Sequence, residues 1–206
     1  MIYNNIGDNM RINDTIFYKI IRPLVTLYIK LFYQPIVTGL ENIPKTGRVV
    51  LAGNHTKWLD PVMLVGITKR QIHFLAKDEL FHGLTKPIVK GMGCIPVNRR
   101  IHDHDALTKA YDFLNNDLCI GIFPEGTINR TNDIIMPFKY GAVKACSETN
   151  SPLVLFIITG EYKLFRKRVK IEFLKPLSIS KDLEKENNRI MEIVKEKLIM
   201  GGKIHE

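Results

Sequence analysis

Beyond residue 37 the chain alternates between short apolar runs and longer segments in which apolar residues recur at helical spacing. Short apolar runs bounded by turn residues are typical of buried strands, and the longer pattern is typical of helices with one buried face. The predicted strands are residues 48–52, 72–76, 94–97, 119–123, 153–159 and 169–174. The predicted helices are residues 61–68, 84–92, 105–115, 140–149 and 181–200. This alternation predicts an α/β fold with a mixed, largely parallel sheet flanked by helices.

The segment from residue 15 to residue 37 is more apolar and carries only positive charges. Its helically spaced stripe consists of Ile16, Ile20, Leu24, Leu27 and Leu31, widened by Phe17, Ile21, Tyr28 and Phe32. Lys19, Arg22 and Lys30 interrupt it, and it has no acidic residue. Crossing a bilayer takes about 20 largely apolar residues in a row, so this segment is not predicted to span one.

Pro23 is expected to end or kink a helix near Arg22. We therefore predict an N-terminal amphipathic two-helix segment that lies in a membrane interface, with its Lys and Arg side chains reaching the headgroups. The predicted division is residues 1–36 for these membrane-binding helices and residues 37–206 for the remaining domain. The alternative is that the apolar stripe packs on the protein core.

The composition narrows the class of partner. Thirty Lys and Arg residues against 21 Asp and Glu give a net charge of +9, which suits a phosphorylated substrate, a membrane surface or a nucleic acid. The basic residues are not clustered beside stacking aromatics, so no nucleic-acid partner is predicted. The three cysteines are odd in number and widely spaced, which argues against a disulfide framework or a zinc ribbon and favours a reducing, cytoplasmic setting.

His55 follows the first of these predicted strands, and Asp60 comes five positions later. On a regular helix the two side chains would point about 140° apart, so they face each other only across a turn. Asp60 before Pro61 predicts such a turn, with Asp60 as the helix N-cap. A carboxylate that holds Nδ1–H leaves Nε2 as a base. Because no serine adjoins the pair, this base is predicted to act on a substrate hydroxyl; the alternative is a purely structural histidine.

Other polar groups also follow predicted strands, whose carboxyl ends meet at one edge of a parallel sheet. Cations at this edge suit a phosphate, and the turn after residue 124 presents backbone N–H groups to an anion. The candidate substrate-binding residues are Lys77, Arg99, Glu125, Gly126, Thr127, Arg130 and Lys139. Taken singly, each is an ordinary surface charge or turn residue. No P-loop or dinucleotide-binding glycine pattern occurs, and no metal is predicted, since residues 102–105 are better interpreted as a polar helix start.

Three blocks together resemble the 1-acyl-glycerol-3-phosphate acyltransferase (lysophosphatidate acyltransferase) family of glycerolipid acyltransferases. The first block, Asn-His-x4-Asp, is matched by Asn54, His55 and Asp60. The second is matched by residues 93–99, and the third by residues 123–127, followed by a Pro-Phe-Lys-x-Gly-Ala stretch at 137–142. The resemblance runs from about residue 37 to residue 177.

The resemblance implies that His55, oriented by Asp60, deprotonates the 2-hydroxyl of 1-acyl-sn-glycerol 3-phosphate. The alkoxide then attacks an acyl thioester, which gives phosphatidic acid for phospholipid biosynthesis. Arg99, Glu125, Gly126 and Thr127 are implied to bind the glycerol phosphate. Acyl-CoA or acyl-ACP (acyl carrier protein) is the implied donor substrate, with no further cofactor. A monotopic membrane enzyme on the cytoplasmic face, with lysophosphatidic acid as its membrane lipid partner, fits this activity.

The chain departs from the family pattern at three positions. Lys57 replaces a common serine, Ile128 stands where an arginine is common, and Leu155 replaces a proline. The catalytic pair is intact, so these differences bear on the acceptor more than on the reaction. The alternatives are acylation of another lysolipid or of glycerol 3-phosphate, a non-catalytic membrane lipid-binding protein, and a thioester hydrolase.

Overall fold

A computed structural model of the chain describes residues 15–98, 104–166 and 168–201. Its helices are α1 (Thr15–Phe32), α2 (Asp60–Ile67), α3 (Lys86–Gly91), α4 (His104–Asn115), α5 (Gly141–Thr149) and α6 (Leu183–Met200). Its strands are β1 (Ile36–Thr38), β2 (Val49–Gly53), β3 (Ile72–Lys77), β4 (Ile95–Val97), β5 (Cys119–Ile122), β6 (Leu153–Thr159) and β7 (Lys170–Phe173). Short 3-10 turns occupy Leu40–Asn42, Asp78–Phe81 and Gly83–Thr85.

The described strands form one seven-stranded sheet in the order β1-β7-β6-β2-β5-β3-β4. The neighbours from β6 to β4 are all parallel, whereas β7 runs antiparallel to β6. The predicted mixed, largely parallel sheet flanked by helices is therefore confirmed. Sequence reasoning missed β1, a three-residue edge strand beside β7 that is too short and too exposed to give an apolar run.

The sheet is covered on both faces, and β2 at its centre is completely buried. Val50 and Ala52 share one core with α4, α5 and α6, while Val49 and Leu51 share a second core with α1 and α2. Burial on both faces explains why the central strands read as continuous apolar runs rather than as alternating ones. The fold thus has three layers, and the strand ends are left as the place where polar groups can gather.

The N-terminal segment is one helix, so the prediction of two short helices is wrong. Pro23 lies inside α1 and removes one backbone hydrogen bond without ending the helix. Three side chains tie α1 to the backbone around α2 on both sides of this proline: Tyr18 to Arg70 O (3.1 Å), Arg22 to Thr68 O (2.8 Å) and Thr26 to Gly66 O (2.9 Å). These bonds and the shared core hold both halves of α1 against α2 and the chain that follows it.

The apolar stripe predicted for this segment lies on the outer face of α1 and is not packed on the core. Ile16, Ile20, Leu24, Leu27 and Leu31 are each more than half exposed, whereas Tyr18 and Ile29 on the inner face are buried. None of the helices among the described residues combines the length and apolarity needed to cross a bilayer. The predicted division at residue 36 stays a prediction, and residues 1–14 lie outside the described ranges.

Gly53 ends β2 at a point where the main chain of β6 passes unusually close. A Cβ atom on Gly53 would lie 2.0 Å from the Phe156 carbonyl oxygen and 2.4 Å from the Phe156 ring. Because backbone is the obstacle, no rotamer change can relieve the clash. Glycine is therefore required for the pairing that places the residues after β2.

We expect Gly53→Ala to lower the free energy of unfolding by about 3 kcal/mol, since it overpacks a central strand. The matched control is Gly141→Ala at the start of α5, where the one contact that the new Cβ makes within 4 Å, among the described residues, is Leu107 Cδ1 at 3.9 Å. That control is expected to be neutral or stabilising by up to about 1 kcal/mol. Urea unfolding of both variants checks this, and an equal loss in the two would contradict the close approach.

Candidate active site

The polar groups singled out from the sequence leave the carboxyl ends of neighbouring parallel strands. β2 leads into Asn54 and His55, and β5, its neighbour, leads into Phe123 and Glu125. The next strand, β3, ends at Lys77. In open α/β sheets this edge is where ligands bind. The topology therefore brings His55, Lys77 and Glu125 to the same edge, as the sequence predicted.

Asn54 fixes the direction in which the chain leaves β2. Its Nδ2 donates to Ile158 O (2.8 Å), and its Oδ1 accepts from Ile158 N (2.8 Å). The side chain thus continues the β2–β6 pairing by one step after the strand has ended. This buried amide is satisfied on both sides, which holds the next residue, His55, in a defined position.

His55 and Asp60 face each other across a turn, as predicted. His55 Nδ1 donates to Asp60 Oδ2 at 2.8 Å, and Asp60 is fully buried. Among the described residues, no group hydrogen-bonds to the other ring nitrogen, Nε2. The His55 side chain keeps 11% of its surface exposed. This geometry sets the tautomer and leaves Nε2 open to a substrate.

The prediction that Asp60 caps α2 is wrong, because Asp60 is the first residue of the helix and Leu59 is its N-cap. The carboxylate turns back toward the preceding loop and accepts from Thr56 N (2.6 Å), Lys57 N (2.9 Å) and Thr56 Oγ1 (3.1 Å). These bonds close the turn between His55 and Asp60. They also stabilise a charge that would otherwise be costly to bury.

Tyr162 is a further partner of Asp60 that sequence reasoning missed. Its hydroxyl donates to Asp60 Oδ1 (2.5 Å), and its ring meets the ring of Tyr33, just after α1, edge-on at 6.0 Å. Burial, followed by the charge of Asp60, raises the pKa of Tyr162, so the hydroxyl stays a donor. The sequence does show a tyrosine three positions past the end of β6, but nothing in it points to a partner 102 residues away in the chain.

The main chain of His55 is held on both sides by the segment after β5. His55 N donates to Glu125 Oε1 (2.8 Å), and Asn129 N donates to His55 O (2.9 Å). The other Glu125 oxygen accepts from Met136 N (3.0 Å). Glu125 is 3% exposed, and burial raises its pKa. Both of its oxygens are occupied by backbone, which favours a positioning role over the predicted substrate contact.

The imidazole ring of His55 stacks on an aromatic side chain. Phe123 stacks on His55 with ring centroids 4.0 Å apart, and Phe123 in turn contacts Phe74 and Phe156 of the core. A flat apolar surface under the ring restricts its rotation without competing for hydrogen bonds. Sequence reasoning did not single out Phe123 for this role.

The predicted phosphate-binding residues lie at different distances from His55. Gly126 has φ +73°, and a Cβ there would meet the Lys139 ammonium at 2.9 Å, so this ammonium lies directly over the turn. The Gly126 N–H is already bonded to Phe123 O (2.9 Å) and is not available to an anion. Thr127 and Arg130 are exposed beside the turn. Lys77 lies two strands away from β2, roughly 10 Å by strand spacing, and Arg99 lies outside the described residues.

The described side chains offer no group of three His, Cys, Asp or Glu arranged to hold a metal ion. Burial raises the pKa of Cys94 and Cys119 to about 12, so neither thiol is prepared to act as a nucleophile. Among the described residues, this leaves the His55 imidazole and the cations near it as the candidates for chemistry at this edge.

The family model and the similar proteins of known function point to the same family. The family description Acyltransferase matches residues 34–159. The 1-acyl-sn-glycerol-3-phosphate acyltransferase of Borreliella burgdorferi is 34% identical over 137 residues, covering 65% of this chain and 54% of that protein. The Bacillus subtilis protein of the same name is 34% identical over 147 residues, covering 68% of this chain and 72% of that protein. The match therefore spans only about half of the Borreliella protein.

A solved structure shares the fold. The 1-acyl-sn-glycerophosphate acyltransferase from Thermotoga maritima superposes with a TM-score of 0.71 at 22% identity. The match covers 89% of this chain and 80% of that one. The three-layer architecture is thus an established one.

We expect Tyr162→Phe to lower the free energy of unfolding by about 2 kcal/mol, because a hydrogen bond to a buried charged group is lost. The amides of Thr56 and Lys57 share the same carboxylate and should exchange with solvent faster. The control is Tyr33→Phe, which removes the neighbouring hydroxyl but leaves Asp60 untouched. Urea unfolding and amide hydrogen exchange check this, and similar exchange at Thr56 in both variants would argue against a positioning role for Tyr162.

Proposed function

This chain belongs to the acyltransferase family, and on that premise we propose that it transfers a fatty acyl chain to the 2-hydroxyl of 1-acyl-sn-glycerol 3-phosphate. The donor is an acyl thioester, carried by coenzyme A or acyl carrier protein, and the product is phosphatidic acid. The observation that carries the proposal is the buried His55–Asp60 pair, with its Nε2 open at the edge of the sheet. The names of the Borreliella and Bacillus relatives support the acceptor.

The proposed reaction follows from the orientation of the His55 ring, whose Nδ1 is held by Asp60. Nε2 of His55 accepts the proton of the acceptor hydroxyl as its oxygen attacks the thioester carbonyl carbon. The carbon–sulfur bond breaks, and the thiolate takes the proton back from the imidazolium, which restores the neutral base. Atoms and charges balance without a covalent enzyme intermediate. General base catalysis of this kind contributes about 10²–10⁴-fold to the rate.

Asp60 acts through His55. Its carboxylate fixes the Nδ1–H tautomer and stabilises the imidazolium that forms as the proton is taken up. Because Asp60 is fully buried, this interaction is screened little by water. The backbone bonds from Thr56 and Lys57 keep the carboxylate in place whether or not the imidazole is charged.

The phosphate of the acceptor is proposed to bind at the turn after β5. Lys139 lies over Gly126, and Thr127 and Arg130 are exposed beside it, which supports a cationic pocket next to the base. Lys77 would extend this pocket from the β3 side, and Arg99, which lies outside the described residues, is proposed to bind the same phosphate. Glu125 serves it indirectly, by holding the backbone of His55.

We propose monotopic membrane association on the cytoplasmic face, and the exposed stripe of α1 supports the association itself. Ile20, Leu24 and Leu27 are 61%, 61% and 55% exposed, and Lys19 and Lys30 lie on the same helix. An apolar face flanked by lysines is the composition of helices that lie in the interface of a bilayer. An enzyme held this way takes its acceptor directly from the lipid surface.

Purified protein given an acyl thioester and 1-acyl-sn-glycerol 3-phosphate should form phosphatidic acid. We expect His55→Ala to lower kcat by about 10³-fold, because the general base is removed. His82→Ala is the control, since its side chain is 74% exposed and its partner Asp78 lies outside the base and its turn. Product formation is followed by chromatography of the radiolabelled acyl chain.

Other products would redirect the assignment. Free fatty acid released at the same rate with and without acceptor would identify a thioester hydrolase. Product only with glycerol 3-phosphate or another lysolipid would change the acceptor, for which Ile128 provides a reason. No acyl chemistry with either donor would leave a lipid-binding role.

We expect Leu24→Glu combined with Leu27→Glu to weaken binding to anionic vesicles by about 10²-fold, because burial of two large apolar side chains, about 3 kcal/mol, is lost. The control places the same charges at Ile199 and Met200, which are 56% and 80% exposed at the end of α6. Vesicle co-sedimentation checks this. Equal loss of binding in the two variants would mean that the added negative charge, and not the loss of the α1 stripe, weakens vesicle binding.

A further inference from the structure

A cleft of about 540 Å³ lies between α1, the C-terminal end of α2 and the chain around β1. We call it the α1–α2 cleft. Part of its wall is apolar, including Ile36 and Leu40, which are 43% and 38% exposed. Its volume is that of a small-molecule binding site. It adjoins the end of α2 opposite to Asp60, so it is separate from the site around His55.

Three cations and no acidic residue line this cleft. They are Arg22 and Lys30 of α1 and Lys69, which follows α2. Arg22 Nε donates to Thr68 O (2.8 Å), which fixes the guanidinium at the wall, while Lys30 and Lys69 are exposed. Among the described residues, no carboxylate pairs with any of the three. Cations gathered without a counter-charge beside apolar walls suit an amphipathic anion.

The geometry of α1 relates the cleft to the exposed stripe. At about 100° per residue, Lys30, Thr26 and Arg22 lie about 60°, 100° and 140° around the helix from Leu27 of the stripe. The three side chains therefore run from the flank of the stripe toward the inner face. If the stripe is immersed in a bilayer, Lys30 lies at the depth of the headgroups and the cleft opens there.

We propose that the α1–α2 cleft binds one anionic phospholipid of the membrane on which the protein lies. Arg22, Lys30 and Lys69 hold its phosphate, and the upper part of an acyl chain lies on Ile36 and Leu40. The lipid is a resident partner and not a substrate, since none of the described residues that line the cleft is a histidine, cysteine or carboxylate that could act as a general base or thiol nucleophile. The orientation of the lipid rests on the proposed docking of α1, whereas the binding site itself is built by the protein alone.

A free phosphate ion would use the cations but not the apolar wall, and a zwitterionic lipid would bring a quaternary amine next to three cations. An anionic phospholipid uses both parts of the cleft, so it is the occupant favoured by the chemistry. A membrane surface that carries anionic lipids attracts each basic residue near it. A cleft lined by three basic residues therefore selects for the anionic lipids.

The test is photo-crosslinking by a diacyl phosphatidylglycerol with a diazirine near the start of one acyl chain. The full chain is labelled in nonionic detergent micelles, where binding needs no bilayer, and the labelled peptides are mapped by mass spectrometry. We expect label on residues 35–40. Unlabelled phosphatidylglycerol should compete at least fivefold better than phosphatidylcholine or inorganic phosphate. Lys69→Glu should lower this label at least fivefold, and Lys185→Glu, on the exposed face of α6, should change it less than twofold.

Several results would overturn the proposal: no label at 35–40, equal competition by phosphatidylcholine, competition by phosphate alone, or a label that does not respond to Lys69→Glu. Label on residues 54–60 or 123–139 reports the site around His55 instead. Vesicle binding and phosphatidic acid formation are measured on the same preparations. A failure of the acyltransferase or of membrane docking is thereby seen separately from a failure of the cleft.

Discussion

The structure depends on how one buried charge is satisfied. Asp60 is fully buried and receives donors from its own turn, through Thr56 and Lys57, from His55, and from the distant Tyr162. A buried carboxylate without these bonds would destabilise the fold by several kcal/mol, and this cost enforces the shape of the turn. The same set of bonds that stabilises the fold therefore orients His55, the proposed base, so a change at Asp60 is expected to affect stability and the proposed chemistry together.

The parts of this arrangement that follow from local pattern could be predicted from the sequence. Apolar runs located the central strands, and the carboxyl-end rule brought His55, Lys77 and Glu125 to one edge. The sequence also indicated that His55 and Asp60 meet across a turn, since their spacing does not suit a helix. What it could not supply was the direction of the Asp60 carboxylate, because capping the helix and closing the turn use the same residue type at nearly the same position.

Long-range contacts account for the other differences. Tyr162 reaches Asp60 only because β6 lies beside β2, and Glu125 is turned inward by bonds to the backbone of His55 and Met136. Pro23 looked like a helix breaker, yet α1 continues past it, and hydrogen bonds to the backbone around α2 hold the helix near this proline. Each of these depends on which elements become neighbours, which is a property of the topology and not of spacing along the chain.

The bonds from Glu125 and Asn129 to the two sides of the His55 backbone also limit how the molecule can move. Residues 125–129 cannot swing outward without breaking these bonds or pulling His55 from its stacked position on Phe123. Local unfolding of residues 125–129 is therefore coupled to displacement of the His55 imidazole from Phe123.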